Sequence, residues 1–208
     1  MMQNANHLEA KYSERFLYEL LQKRLEPHAD KAAIDTQIWA QFGEEWCIMF
    51  TDLVGFSRLV AEFGIIHFLQ TIYESERLFA PLLTKHDGYL LKTEGDSMMA
   101  LFKHTNQALA CAVEMQAFTS EYNSSKIDEE KVLLCMGLGF GKMLRVGEAD
   151  VYGKEVNAAC KLGEETAKRG DILVTHAVMQ QCENTPAVSF KKLPGMPSWL
   201  GDAYQVLY

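Results

Sequence analysis

From residue 46 onward, short apolar runs alternate with longer stretches of helical spacing in the order β-α-β-β-α-β. That order restricts the possible folds more than any other feature of the chain. A strand over 46–51 precedes a helix near 64–83, which places Ile65, Phe68, Leu69, Ile72, Phe79, Leu82 and Leu83 at helical intervals. After a turn at His86-Asp87-Gly88, strands 89–93 and 97–102 flank the tight turn Glu94-Gly95 and form a hairpin. An alanine-rich helix 105–119, an exposed loop over 124–131 and a long strand 132–144 complete the six elements. This is the ferredoxin-like pattern, in which the third strand lies beside the first and antiparallel to it. A helix from about 155 to 168, a strand 171–175, a short helix 176–182 and strands 188–193 and 203–207 follow. The expected fold class is therefore α+β, a ferredoxin-like βαββαβ core with a C-terminal αβαββ extension.

In that topology the end of strand 46–51 meets the start of strand 97–102, so Asp52 and Asp96 become neighbours. Each stands where an apolar strand runs into a glycine-containing turn, within Cys47-Ile-Met-Phe-Thr-Asp-Leu-Val-Gly-Phe-Ser57 and Lys92-Thr-Glu-Gly-Asp-Ser-Met-Met-Ala-Leu-Phe102. A strand end holds a carboxylate firmly, and the turn lets a ligand approach the backbone. Two carboxylates so placed suit a pair of hard divalent cations, a common means of driving in-line chemistry at a phosphate. Alone, Asp52 reads as a helix N-cap and Asp96 as a turn residue; their convergence favours metal binding. Gly137, Gly139 and Gly141 bare one face of the long strand, where something bulky is expected to pack.

Residues 12–25 carry Tyr12, Phe16, Leu17, Leu20, Leu21 and Leu25 on one side and charges opposite, which predicts an amphipathic helix ended by Pro27. Six apolar residues on one side are expected to pack on their own chain or across a dimer. A second short helix around 34–42 closes at Gly43. The chain thus divides into an N-terminal helical extension, 1–44, and a catalytic domain, 45–208.

The formal charge of −8 argues against nucleic acid and against a polybasic membrane surface. An acidic chain still binds an anionic nucleotide when metal ions carry the positive charge. Cys47, Cys111, Cys135, Cys160 and Cys182 are scattered and odd in number, which fits reduced thiols in a cytosolic protein. The start has no apolar leader core, and no stretch approaches the roughly 18 apolar residues of a spanning helix. A soluble, cytoplasmic protein with neither nucleic acid nor membrane as partner is expected.

Four segments together resemble the class III nucleotide cyclases, the adenylyl and guanylyl cyclase catalytic domain. They are Phe50-Thr-Asp-Leu-Val-Gly-Phe-Ser57, Lys92-Thr-Glu-Gly-Asp96, the glycine strand 137–141 and Asp150-Val-Tyr-Gly-Lys-Glu-Val-Asn-Ala-Ala-Cys-Lys161. The resemblance covers roughly residues 46–208. It implies a homodimer with composite active sites that converts ATP to cyclic AMP and pyrophosphate. Asp52 and Asp96 then correspond to the ligands of two Mg²⁺ or Mn²⁺ ions per site, with the Leu53 carbonyl as a further ligand. The turn from Leu53 through Val54, Gly55, Phe56 and Ser57 corresponds to the triphosphate cradle, built from backbone N–H groups. From the partner chain, Lys92 and Asp150 correspond to the base-reading pair, and Asn157 and Lys161 to the ribose and transition-state residues.

Lys92 only donates and ionised Asp150 only accepts, which fits adenine's ring nitrogen and exocyclic amine and mismatches guanine. Cytosine presents the same acceptor and donor, so a pyrimidine cyclase, CTP before UTP, stays open beside the adenylyl reading. Lys161 departs from the family, which has arginine there; lysine keeps the charge and loses the planar fork. A weakly active or non-catalytic nucleotide-binding regulator is therefore the third reading. Lys191 and Lys192 fit either a contact to the terminal phosphates or a plain sheet edge.

Overall fold

The structure is a computed structural model describing residues 14–148 and 150–208, with the side chains of 56–58 left aside. Two helices lead in, α1 (Glu14–Leu25) and α2 (Lys31–Phe42). Asp30 caps α2 by accepting the Ala33 N–H at 3.0 Å, which starts this helix earlier than its apolar spacing suggests. Leu17 and Leu20 of α1 are buried against Ile38 and Phe42 of α2. Arg24 ties the pair together through two hydrogen bonds to Asp35, at 2.5 and 3.0 Å. Only part of the expected α1 stripe is covered: Leu25 is 83% exposed and Leu21 37%, while Tyr12 lies outside the described residues.

Strand β1 (Gly43–Leu53) runs through the middle of an eight-stranded sheet. Around it stand β2 (Tyr89–Glu94), β3 (Ser97–Phe102), β4 (Leu134–Val146), β6 (Ile172–Thr175), β7 (Ser189–Lys192) and β8 (Ala203–Leu207). Their order is β2-β3-β1-β4-β6-β8-β7, and β5 (Asp150–Tyr152) pairs with β4 alone. Both neighbours of β1 are antiparallel to it, with Thr51 opposite Met98 on one side and Asp52 opposite Cys135 on the other. This is the ferredoxin-like arrangement the sequence predicts, prolonged by the parallel strand β6 and the β7–β8 pair.

Helices α4 (Ile65–Lys85) and α5 (Thr105–Ser124) cover one face of the sheet. Phe68, Phe79, Leu109 and Met115 pack there on Met49, Phe102 and Met136. On the other face Ile48, Phe50, Leu101 and Met143 meet Val151 of β5 and Val156 of α6 (Lys154–Cys160). The glycine strand explains how α6 sits so low. A Cβ at Gly139 would stand 2.4 Å from the Glu155 carbonyl oxygen, and one at Gly137 2.1 Å from that of Ala159. Helix α6 continues into a π-helical turn, Lys161–Thr166, and stops short of residue 168.

Two elements went unread in the sequence. Helix α3 (Phe56–Phe63) follows the first aspartate directly, with Gly55 at φ 99° before it and Gly64 at φ 86° after it. Both glycines hold the left-handed backbone that other residues resist. Strand β5 is only three residues long, below the length at which alternation gives a signal. Short helix α7 (His176–Cys182) lies on the α5 side. Among the described residues, no helix is long and apolar enough to cross a membrane.

Candidate active site

The two aspartates converge through the backbone. Met98 N–H donates to Thr51 Oγ1 at 3.2 Å, fixing the start of β3 against the end of β1. The Leu53 N–H reaches the carboxylates of both Asp52 and Asp96, and Ser97 Oγ donates to Asp52 Oδ1 at 3.4 Å. Burial, then the Asp96 charge and then Glu164 push the Asp52 carboxyl up to about 6. Burial, with Glu164 adding to it, raises Asp96 as well. A pair of half-buried carboxylates that repel each other is what a bound cation would relieve. Among the described residues, no three His, Cys, Asp or Glu side chains form a closed metal cage. Two carboxylates and a backbone carbonyl match magnesium-type binding, in which water and substrate phosphates take the remaining positions. The donor set therefore fits the expected ions.

The expected cradle offers fewer free N–H groups than its sequence suggests. Val54 N–H donates to the Leu133 carbonyl at 2.8 Å, so this group is committed to the fold. Gly55 precedes α3, and its carbonyl accepts from Leu59 N–H at 2.9 Å. The N–H groups of Phe56 and Ser57 open the helix, where first-turn donors lack intrahelical acceptors and favour an anion.

Lys92 and Asp150 meet within one chain, Nζ to Oδ1 at 3.2 Å. Antiparallel pairing of β5 with β4, Val146 opposite Asp150, sets Asp150 within reach of β2. Asp150 is thus the first residue of a strand, β5. Its Oδ1 also accepts Val151 N–H and its Oδ2 the Tyr152 hydroxyl, both at 3.2 Å. Lys92 has a second partner, Glu94 Oε1 at 2.7 Å, and that hydrogen bond is the main reason its pKa is raised.

Asn157 stands exposed on α6, and Lys161 follows one turn later where the helix turns π. Lys161 is ion-paired with Glu165, and Cys160 Sγ donates to Glu164 Oε2 at 3.3 Å. Neither Lys191 nor Lys192 is buried, and Lys192 pairs with Asp202 at 2.6 Å.

Four residues around the site escaped the sequence reading: Glu94, Tyr152, Glu164 and Glu165. Spacing held a signal for three of them. Glu94 lies two positions from Lys92 on a strand and Tyr152 two from Asp150, so each shares a face with its partner. Glu165 lies four positions from Lys161 on a helix, the spacing of a Lys–Glu pair.

The fold is shared with known proteins. The profile of the adenylate and guanylate cyclase catalytic domain matches residues 38–195. The putative adenylate cyclase 3 of Rhizobium meliloti is 23% identical over 143 residues, 69% of this chain and 24% of that protein. The receptor-type guanylate cyclase gcy-7 of Caenorhabditis elegans is 23% identical over 181 residues, 80% of this chain and 16% of that protein. The chain spans about a quarter or less of the length of the curated relatives it matches. Among solved structures, the adenylate/guanylate cyclase/hydrolase from Silicibacter pomeroyi superposes with a TM-score of 0.66 at 25% identity, covering 79% of this chain and 95% of that one. With the profile spanning most of the chain, and both aspartates at adjoining strand ends inside it, this chain belongs to the adenylate and guanylate cyclase catalytic-domain family.

Proposed function

We propose that the chain is an adenylyl cyclase, forming cyclic AMP and pyrophosphate from ATP at composite sites of a homodimer. The observation that carries this reading is the 3.2 Å approach of Lys92 Nζ to Asp150 Oδ1. A donor and an acceptor fixed side by side match the adjacent acceptor and amine of adenine's pairing edge. Guanine sets a ring N–H against the lysine and a carbonyl against the carboxylate.

In the reaction the ribose 3′-oxygen attacks the α-phosphorus, and the bond to the β-phosphate oxygen breaks to release pyrophosphate. Asp52, Asp96 and the Leu53 carbonyl would hold the divalent ions. Those ions supply Lewis acidity toward the 3′-hydroxyl and charge neutralisation at the leaving phosphates. The chain's own groups do the positioning. First-turn N–H groups of α3 meet phosphate oxygens, Asn157 orients the ribose, and Lys161 faces the charge that grows on the phosphate. Lys161 is engaged by Glu165 on its own chain and Lys92 by Asp150 and Glu94, all on the face away from α4 and α5. A second chain presenting that face to Asp52 and Asp96 completes one site.

The decisive experiment incubates the purified chain with ATP, GTP, CTP or UTP plus Mn²⁺ and resolves cyclic products by mass. Cyclic AMP as the main product supports the reading, and cyclic GMP overturns it. Cyclic CMP establishes the pyrimidine alternative, which the Lys92–Asp150 pair does not exclude. Nucleotide binding without any cyclic product establishes the regulator reading, which the Lys161–Glu165 pairing favours.

A further inference from the structure

The Lys92 ammonium is held by two carboxylates, Asp150 Oδ1 at 3.2 Å and Glu94 Oε1 at 2.7 Å. Glu94 lies two positions further along β2, so its side chain leaves the sheet on the same face as Lys92. Asp150 is also bound by the Val151 N–H and the Tyr152 hydroxyl, which fix it in place. Glu94 is 69% exposed despite its bond to Lys92, so a ligand can reach it. Its charge adds to the raised pKa of the Cys160 thiol, after burial, Glu164 and Glu165, which sets the carboxylate on the α6 side of β2.

A protonated lysine has three N–H donors and no acceptor. With two of them given to carboxylates, one remains for a base, and it can meet only an acceptor. The three N–H directions diverge tetrahedrally, so the ring nitrogen that takes the third has a carboxylate on each flank. Lys92, Asp150 and Glu94 together carry one positive and two negative charges. The surplus favours hydrogen-bond donors on those flanks and opposes a carbonyl. The Asp150 flank meets the exocyclic amine that adenine and cytosine share. The Glu94 flank separates them. There adenine presents only its C2–H, whereas cytosine presents its 2-carbonyl, an acceptor set against an acceptor.

We propose that Glu94 is a third base-reading residue, which rejects cytosine at its 2-carbonyl and welcomes an adenine bearing an amine at C2. The inference rests on the proposed reading of Lys92 and Asp150 as the base-reading pair. It supplies the discrimination between ATP and CTP that those two residues lack. Specificity of this kind needs a repulsive element beside the attractive ones. One carbonyl left facing a carboxylate costs roughly tenfold in affinity.

Binding without turnover tests this. The α,β-methylene triphosphates of adenosine, 2-aminoadenosine, cytidine and guanosine cannot release pyrophosphate. Each is used to displace fluorescent 2′-deoxy-3′-mant-ATP from the full chain in Mn²⁺. The adenosine analogue should bind about tenfold tighter than the cytidine one or more, and the 2-aminoadenosine analogue several-fold tighter again. Glu94→Ala should shrink both ratios about fivefold or more. Glu94→Gln, whose amide can donate to the carbonyl, should shrink the first ratio further. Unchanged ratios in both Glu94 variants, with Asp150→Ala still weakening the adenosine analogue, overturn this proposal and not the proposed function. Unchanged ratios with no effect of Asp150→Ala overturn both, as does absence of saturable nucleotide binding. Tightest binding of the guanosine analogue, lost in Glu94→Gln and kept in Asp150→Ala, overturns it in favour of a guanine contact through Lys92 and Glu94. The expected ratios in a chain that forms no cyclic product support this proposal and overturn only the proposed function.

Discussion

Lys92 and Asp150 are 58 residues apart in sequence and 3.2 Å apart in space, on strands that are not sheet neighbours. Their contact is made by β5 folding back over the sheet, and it gives the chain a donor and an acceptor with one spacing. Replacing Asp150 by Ala should lower kcat/KM for ATP by about tenfold or more, the cost of one unpaired buried amine. The same change should move the GTP rate far less. Equal losses for both nucleotides would show that Asp150 supports structure and does not read the base.

Asp96→Ala should remove nearly all cyclase activity while leaving circular dichroism and oligomeric mass unchanged, and EDTA should do the same to the wild type. Asp96 follows Gly95 (φ 60°) in the hairpin turn and is only half-buried, so little packing is lost. Retained rates in either experiment would dissociate this carboxylate from metal binding.

The raised Asp52 carboxyl sets a pH dependence with a definite sign. Folding lifts it from 3.8 to about 6, so the folded chain holds a proton that the unfolded chain releases. Its contribution to metal-free stability is complete below about 3.8, declines as pH rises and is lost above about 6. In EDTA, the melting temperature of wild type relative to Asp52→Asn should therefore fall between pH 4.5 and 7.5. Mn²⁺ should reverse this, stabilising the wild type at pH 7.5 and hardly at all at 4.5. Parallel curves for the two proteins would rule out the buried repulsion.

Lys161 should tolerate loss of its helical partner. An exposed i,i+4 pair contributes about 0.3–0.5 kcal/mol, so Glu165→Gln should raise kcat by no more than about twofold. Lys161→Ala should nearly abolish kcat, and Lys161→Arg should raise it where the pocket admits the fork. An alanine variant with an unchanged kcat would remove this lysine from the reaction.

Mixing inactive Asp52→Ala and Asn157→Ala chains should restore activity through dimers holding one intact site. Exchange of subunits without recovery would place the whole site within one chain.

The topology was legible because its long elements are periodic: Phe68 through Leu83 at helical spacing, and apolar runs of five or six residues between glycine turns. That order alone brought Asp52 to Asp96 on paper. Short elements carried no such signal. Helix α3 is an eight-residue segment bracketed by Gly55 and Gly64, with Leu59 in the core, and β5 is a three-residue strand paired to the edge of β4. Local bonding also changed roles that residue type suggested, since Val54 gives its N–H to Leu133 and Lys92 is shared between Asp150 and Glu94. Spacing could identify these partners only once the element holding them was known. Helix α1 lies where its apolar spacing predicts, its own chain covers Leu17 and Leu20, and Leu25 is left to the dimer half of the expectation.

At Gly137 and Gly139 the α6 backbone rests directly on the β4 backbone, with no side chain between them. Gly139→Ala should destabilise the fold by about 1–3 kcal/mol, seen as a lower melting temperature, because the added methyl meets a carbonyl and no flexible neighbour can yield. A joint of this kind has no play. Side chains in an ordinary interface can change rotamer and absorb small displacements, whereas main chain on main chain passes a push on unchanged. Between β4 and α6, the helix that carries Asn157, no side-chain rotamer is left to absorb a displacement.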